Sequence, residues 1–147
     1  MALTTRGERI MPIKNVFNEI KTLTQSIENL SVADYIQEQE SNEKVLLIDL
    51  RELQERVDLG SIPNSKHVPR GMLEFWADPA SPYYRDFFDG EDQRIIVFCA
   101  GGGRSVYAAL ALQKIWDIAT WRILRMVFAV GRKATIPSRM LLPPVAG

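Results

Sequence analysis

The sequence predicts an α/β fold, a small domain with a mainly parallel central sheet flanked by helices. Three observations predict it. Val45 to Leu50 (VLLIDL) and Arg94 to Phe98 (RIIVF) are continuous apolar runs of strand length. Such runs, rather than alternating ones, mark strands covered on both faces, as parallel sheets are. Between and around them, apolar residues recur at helical spacing, so strands and helices alternate along the chain. The second run also ends in a cysteine and a glycine loop that leads straight into an alanine- and leucine-rich helix.

Each element follows from its own signals. Ile13, Val16, Phe17, Ile20, Leu23 and Ile27 share one helical face, which predicts an amphipathic helix over 13–26. Ser31 with Asp34 three residues later is a capping box that opens a short helix over 32–39. SNEK is a polar break before the first buried strand. RELQERVD returns to helix, and GSIPNSK carries turn chemistry. HVPRGMLEFWADPASP is a proline-punctuated connection with one helical turn at 70–76. After the second strand, Ser105 to Lys114 (SVYAALALQK) is helix. No internal repeat is present.

Composition narrows the function classes. At 147 residues the chain suits one domain with its own core. Its formal net charge of zero gives no global field, so neither nucleic acid nor a membrane surface is an expected partner. The single cysteine, Cys99, has no partner for an internal disulfide, and no Cys/His cluster has metal-ligand spacing. A free thiol fits a reducing compartment, and the first twenty residues lack the apolar core of a secretory signal; a cytoplasmic location is expected.

FCAGGGRS, Phe98 to Ser105, carries the chemistry. The loop lies at the C-terminal end of a parallel strand, where open α/β sheets place their ligands. Glycines let successive backbone N–H groups turn inward as an anion-binding nest, and the following helix adds the free N–H groups of its first turn. The dipole of that helix, the amides of Ala100, Gly101, Gly102, Gly103 and Ser105, and the Arg104 cation would all stabilise a thiolate at Cys99, which is then a nucleophile. Arg104 is also placed to steer an anionic substrate by paired hydrogen bonds. A buried structural cysteine before a plain glycine turn is the alternative. Four residues separate Cys99 from Arg104. Cysteine phosphatases and related arsenate reductases use five. The shorter loop makes a smaller ring of amides, better suited to one sulfur atom than to a tetrahedral phosphate.

At these residues the chain resembles the rhodanese family, the single-domain thiosulfate sulfurtransferase-like proteins. The family pattern Cys-x-x-Gly-x-Arg-Ser is matched by Cys99, Gly102, Arg104 and Ser105. LIDLRE (47–52) resembles its Asp-x-Arg segment, and GSIPNSKHVPRGMLEFW (60–76) its Gly-x-Ile-Pro-x-x-x-His-x-Pro-x-Gly segment. The resemblance covers roughly 28–114. It implies a rhodanese-like domain there, with 1–27 as an N-terminal helical extension. It also implies two-step transfer: Cys99 takes sulfur from thiosulfate or a similar small donor as a persulfide. Cyanide or a thiol then removes it, and no metal or organic cofactor is implied. The amides from Ala100 to Ser105 would cradle the persulfide, and Arg104 would place the donor. A relay or regulatory module that hands sulfur to an acceptor protein is the alternative, as is an inactive domain.

Other polar residues receive supporting roles. Asp49 and Arg51 are expected to fix loops at the strand ends, and Arg70 is a candidate second cation at the mouth. His67, the only histidine, is expected to be structural, because a thiolate activated by amides needs no base. Phe75 and Trp76 fit either the pocket mouth or the core.

After Lys114 the pattern breaks. Residues 115–147 carry five basic side chains (Arg122, Arg125, Arg132, Lys133, Arg139) against one acid, Asp117. Taking the third base of each codon from Ile115 onward with the first two of the next permits Met-Gly-Tyr-x-x-Val-x-x-Leu-x-x-Gly-Phe-x-x-Trp-Lys-Glu-Gly-x-Tyr-Pro-Val. That string is the family ending in register, so 115–147 reads as an aberrant tail produced by a frameshift. The expected consequences are loss of the C-terminal strand and helix, and extension of the 105–114 helix to about Val127. Sequencing the encoding DNA tests the frameshift.

Overall fold

The computed structural model describes residues 13–41, 44–89, 93–116 and 123–127. Five strands form one sheet: β1 (Glu28–Leu30), β2 (Val45–Asp49), β3 (Lys66–His67), β4 (Arg94–Cys99) and β5 (Ile123–Val127). Their order is β1-β5-β4-β2-β3 and every neighbouring pair is parallel. The helices are α1 (Val16–Thr24), α2 (Val32–Ser41), α3 (Leu53–Leu59), α4 (Leu73–Ala77) and α5 (Gly103–Trp116). A short 3-10 turn, Arg70–Met72, runs into α4.

The two apolar runs become β2 and β4 because each has a helical layer on both sides. Leu46, Ile48, Ile95, Val97 and Cys99 face a core completed by Leu73 of α4 and by Val106, Ala109 and Leu112 of α5. Leu47, Ile96 and Phe98 face the other side, against Tyr35 of α2 and Ile62. This period-2 division places the Cys99 side chain on the α5 face.

Local signals act as the sequence predicts. The Ser31 hydroxyl accepts from Asp34 N–H at 3.0 Å and the Asp34 carboxylate accepts from Ser31 N–H at 3.0 Å. The capping box is therefore closed. Asn15 caps α1 by accepting from Phe17 and Asn18 N–H, so that helix starts later than the apolar periodicity alone suggests. Ile20 and Leu23 of α1 pack against the α5-side core, while Ile13, Val16 and Phe17 are exposed.

The C-terminal region corrects two expectations, the loss of the strand and the extension of the 105–114 helix to Val127. Instead α5 is described over Gly103–Trp116, and Ile123–Val127 is the strand beside β4, with Cys99 opposite Val127 in register. Strand pairing is made by backbone N–H and C=O groups, so it tolerates many side chains. An unpaired edge of β4 is costly, and a short apolar run such as ILRMV can satisfy it. The expected loss of the closing helix concerns 128–147, which lie outside the described residues, as do 1–12 of the N-terminal extension. No helix among the described residues is long and apolar enough to cross a membrane.

Candidate active site at the Cys99 loop

β4 delivers Cys99 to the C-terminal edge of the sheet, and α5 begins at Gly103 directly beyond the loop. Gly102 makes the turn with φ 92°, a left-handed conformation that favours glycine. Its N–H then points inward and donates to Cys99 Sγ at 3.0 Å. The Cys99 thiol lies 3.6 Å from Ser105 Oγ, to which it donates, and Ser105 donates onward to Gly102 O at 2.9 Å. Cys99 and Ser105 are buried, Ala100 is half-buried and Gly101 is exposed. The sulfur therefore sits beneath a rim of small residues. A Cβ built on Gly103 would stand 3.0 Å from Ile20 Cδ1, so α1 packs tightly on the first residue of α5.

Gly102→Ala tests how far the loop depends on this geometry. Left-handed backbone costs a residue with a Cβ about 1–2 kcal/mol. Relaxing φ also turns the amide away from Sγ. A lower thermal midpoint together with a fall in turnover per folded molecule is expected; unchanged turnover would show that this amide is not needed.

Arg104 is engaged more closely than the sequence suggests. Its two terminal nitrogens donate to the two oxygens of Glu55 at 2.6 and 2.8 Å, a bidentate pair between α5 and α3. Glu55 is held in place because its Oε2 also accepts from Glu52 N–H at 2.7 Å, at the start of α3. Hydrogen bonds from Arg104 hold the Glu55 carboxyl below its usual range, against a smaller opposing effect of burial. The same bonds, then the charges of Glu55 and Cys99, hold Arg104 above its ordinary value. Arg104 thus feels the charge of the Glu55 carboxylate first and that of the sulfur second.

Asp49 and Arg51 form a buried pair at the end of β2, the strand next to β4. Asp49, at the end of β2 and opposite Phe98 in register, accepts from Arg51 N–H (3.0 Å), Nε (3.0 Å) and Nη2 (2.9 Å). It also accepts from Arg56 at 2.9 Å and Ser61 at 3.1 Å. Arg51 reaches Gly60 O at 2.7 Å. Both side chains are fully buried. Their role is to tie the β2 end, α3 and the Gly60 turn together. His67 has a similar task, with Nε2 2.7 Å from Arg51 O.

Arg70 reaches the same sheet edge, since its N–H donates to Leu50 O and Leu50 N–H donates to Phe98 O. Its guanidinium, however, pairs with Glu74 at 2.5 Å, and no described hydrogen bond or ion pair joins it to the Cys99 loop. Trp76 is half-buried and packs on the core with Arg85 over its ring, whereas Phe75 is exposed. Sequence reasoning missed Glu55, Arg56 and Ser61. The spacing of Glu52 and Glu55 at the head of RELQERVD was the available signal for Glu55.

Among the described residues no group of His, Cys, Asp and Glu could hold a metal ion. A cavity of about 480 Å³ lies at the other end of the sheet, lined by Glu28, Asp34, Glu38 and Arg94, and shares no residue with this site.

A family model for the Rhodanese-like domain matches residues 31–128. Among curated proteins nothing matches. A solved structure from Rhodopseudomonas palustris, a protein of unknown function described as a possible tyrosine phosphatase, is 34% identical. It matches over 85% of this chain and 92% of its own, with a TM-score of 0.71. A thiosulfate sulfurtransferase from Pseudomonas aeruginosa is 22% identical over 75% of this chain and 19% of its own (TM-score 0.56). A human single-domain sulfurtransferase is 20% identical over 65% of this chain and 87% of its own (TM-score 0.52). At these identities the last two likenesses concern the fold.

Proposed function

This chain belongs to the Rhodanese-like domain family, and from that premise we propose that it is a sulfurtransferase working through a Cys99 persulfide. The observation that carries this is the Gly102 N–H set 3.0 Å from Cys99 Sγ inside a four-residue loop closed by Arg104. In the first step the Cys99 thiolate attacks the outer sulfur of thiosulfate. The new bond is Cys99 S–S; the bond to the sulfonate sulfur breaks, and its electron pair leaves with sulfite. In the second step cyanide or a thiolate attacks the terminal sulfur. With cyanide the products are thiocyanate and the free Cys99 thiolate. Neither step changes the total charge or needs an outside oxidant.

The amide of Gly102 is positioned to hold negative charge on either sulfur, and preorganised amides do so without reorganisation during reaction. The burial of Cys99 shelters the persulfide between steps. Thiocyanate formation from thiosulfate and cyanide, with a mass gain of about 32 Da on the intact chain after thiosulfate alone, tests the reading. Protein that gains no sulfur from any small donor would overturn it.

A phosphatase reading draws support from the R. palustris protein's description. The loop weighs against it, because the ring of amides between Cys99 and Arg104 is one residue shorter than a phosphate-binding loop. No hydrolysis of an aryl phosphate is expected. Transfer to an acceptor protein is the second reading of the same persulfide, and exclusive transfer to such a partner, with no cyanide turnover, would favour it. The frameshift origin of 115–147 is part of this proposal; restoring the other frame is expected to raise the thermal midpoint.

A further inference from the structure

The site is built around one charge arrangement that sulfur transfer alone does not require. Arg104 is the only cation of the catalytic loop, and Glu55 accepts from both terminal nitrogens of its guanidinium with its two carboxylate oxygens. The middle of the loop, Ala100 to Gly103, carries no charge at all. Arg70, the other arginine brought to this sheet edge, is likewise paired, with Glu74. The nearby Asp49–Arg51 pair is fully buried and faces inward to Gly60 and α3. An incoming donor thus meets an arginine whose charge is already paired with a full carboxylate.

Resting on the sulfurtransferase reading, we propose that Glu55 is the positioning residue that sets the charge preference of the Cys99 site. By holding Arg104 it disfavours dianionic donors and favours donors with less negative charge. The physical reason is direct. A carboxylate repels a dianion twice as strongly as a monoanion at the same distance, and it cancels most of the attraction that the Arg104 charge would otherwise exert on the donor. Glu55 acts through Arg104 and does not touch the reacting sulfurs, so its effect belongs in donor binding rather than in the chemical step.

The test compares thiosulfate, a dianion, with methanethiosulfonate, a monoanion. Both deliver a terminal sulfur to Cys99; the first releases sulfite and the second methanesulfinate. Glu55→Gln removes the charge while leaving an acceptor for Glu52 N–H, since glutamine serves at this helix position as well as glutamate. Wild type is expected to show the higher kcat/KM with methanethiosulfonate. Glu55→Gln is expected to raise kcat/KM for thiosulfate about tenfold, mainly through KM, and that for methanethiosulfonate about threefold. Arg104→Gln leaves the carboxylate unpaired and should move the thiosulfate-to-methanethiosulfonate ratio the opposite way. Because losing the loop's only cation would lower that ratio with or without Glu55, Glu55→Asp decides the matter if Glu55→Gln does not fold: its carboxylate is drawn back by one methylene from the Arg104 nitrogens, and the ratio should rise above wild type. A ratio unchanged in the folded variants, or moving in kcat alone, overturns the role of Glu55 while leaving sulfur transfer intact. If wild type gains no sulfur from either donor, the sulfurtransferase reading fails and this inference with it.

Discussion

Replacing Cys99 with serine is expected to abolish sulfur transfer while leaving the fold in place. Serine is slightly smaller and keeps a polar atom near the Gly102 N–H and the Ser105 hydroxyl, both of which contact the sulfur in the native chain. The serine oxygen would be neither an acidic group nor a soft nucleophile at neutral pH. Removing a nucleophile that every turnover passes through costs roughly a thousandfold or more in kcat. Thiocyanate production should fall to background, and the sulfur mass gain on thiosulfate treatment should vanish. A thermal midpoint near the wild-type value would show that the loss is chemical. Persistent turnover in the serine variant would mean that the sulfur does not pass through Cys99.

Replacing Asp49 with alanine is expected to produce the largest loss of stability of any single polar substitution discussed. Asp49 is 0% exposed and receives hydrogen bonds from Arg51, Arg56 and Ser61. Without it, the equally buried Arg51 cation keeps only its bond to Gly60 O among those named. Removing one member of a buried pair costs about 3–5 kcal/mol, because the remaining charge stays desolvated and uncompensated. The urea midpoint should fall accordingly, and the ends of β2 and α3 should loosen together. A shift within about 0.5 kcal/mol, the range of ordinary surface changes, would show that the network is not a stability element.

The same group fixes a pH dependence. Burial alone would raise the Asp49 pKa, but hydrogen bonds from the Arg51 side chain and backbone, with the charges of Arg51 and Arg56, outweigh it and hold the carboxyl below its usual range. Glu55 is lowered in the same sense by Arg104. A folded-state pKa below the unfolded one means that the unfolded chain binds protons first as pH falls. The stabilising contribution is therefore complete above the ordinary carboxylate range, about pH 4–5, and is lost as pH falls through the folded values. Thermal midpoints should drop steeply below about pH 4.5 in wild type and less steeply in Asp49→Asn.

Much of the fold was legible locally. VLLIDL and RIIVF were readable as strands because both faces are covered, which leaves no polar alternation to confuse the signal. The Cys99 loop was readable because glycine, cysteine and arginine constrain backbone and charge within a few adjacent residues. β1 and β3 were not readable. With three and two residues, they carry too few side chains for any period, and they are strands only because a neighbour's backbone pairs with them. β5 was misread for the related reason that a slot beside β4 accepts apolar segments on backbone terms.

Short-range pattern was enough to establish the α/β class, the position of the one thiol at a strand end, and the glycine loop that turns an amide toward it. These follow from periodicity and from the conformational freedom of residues close together in the chain. Which partner Arg104 takes was decided by packing. Its partner Glu55 lies 49 residues earlier, where the Glu52–Glu55 spacing signals a helix cap but not a partner on α5. The same holds for Arg56 and Ser61, which join Asp49 from α3 and the following turn. Charge pairing depends on distance and burial in three dimensions. Chain spacing shows which charges are present, whereas the folded arrangement determines which of them stay free to meet a substrate.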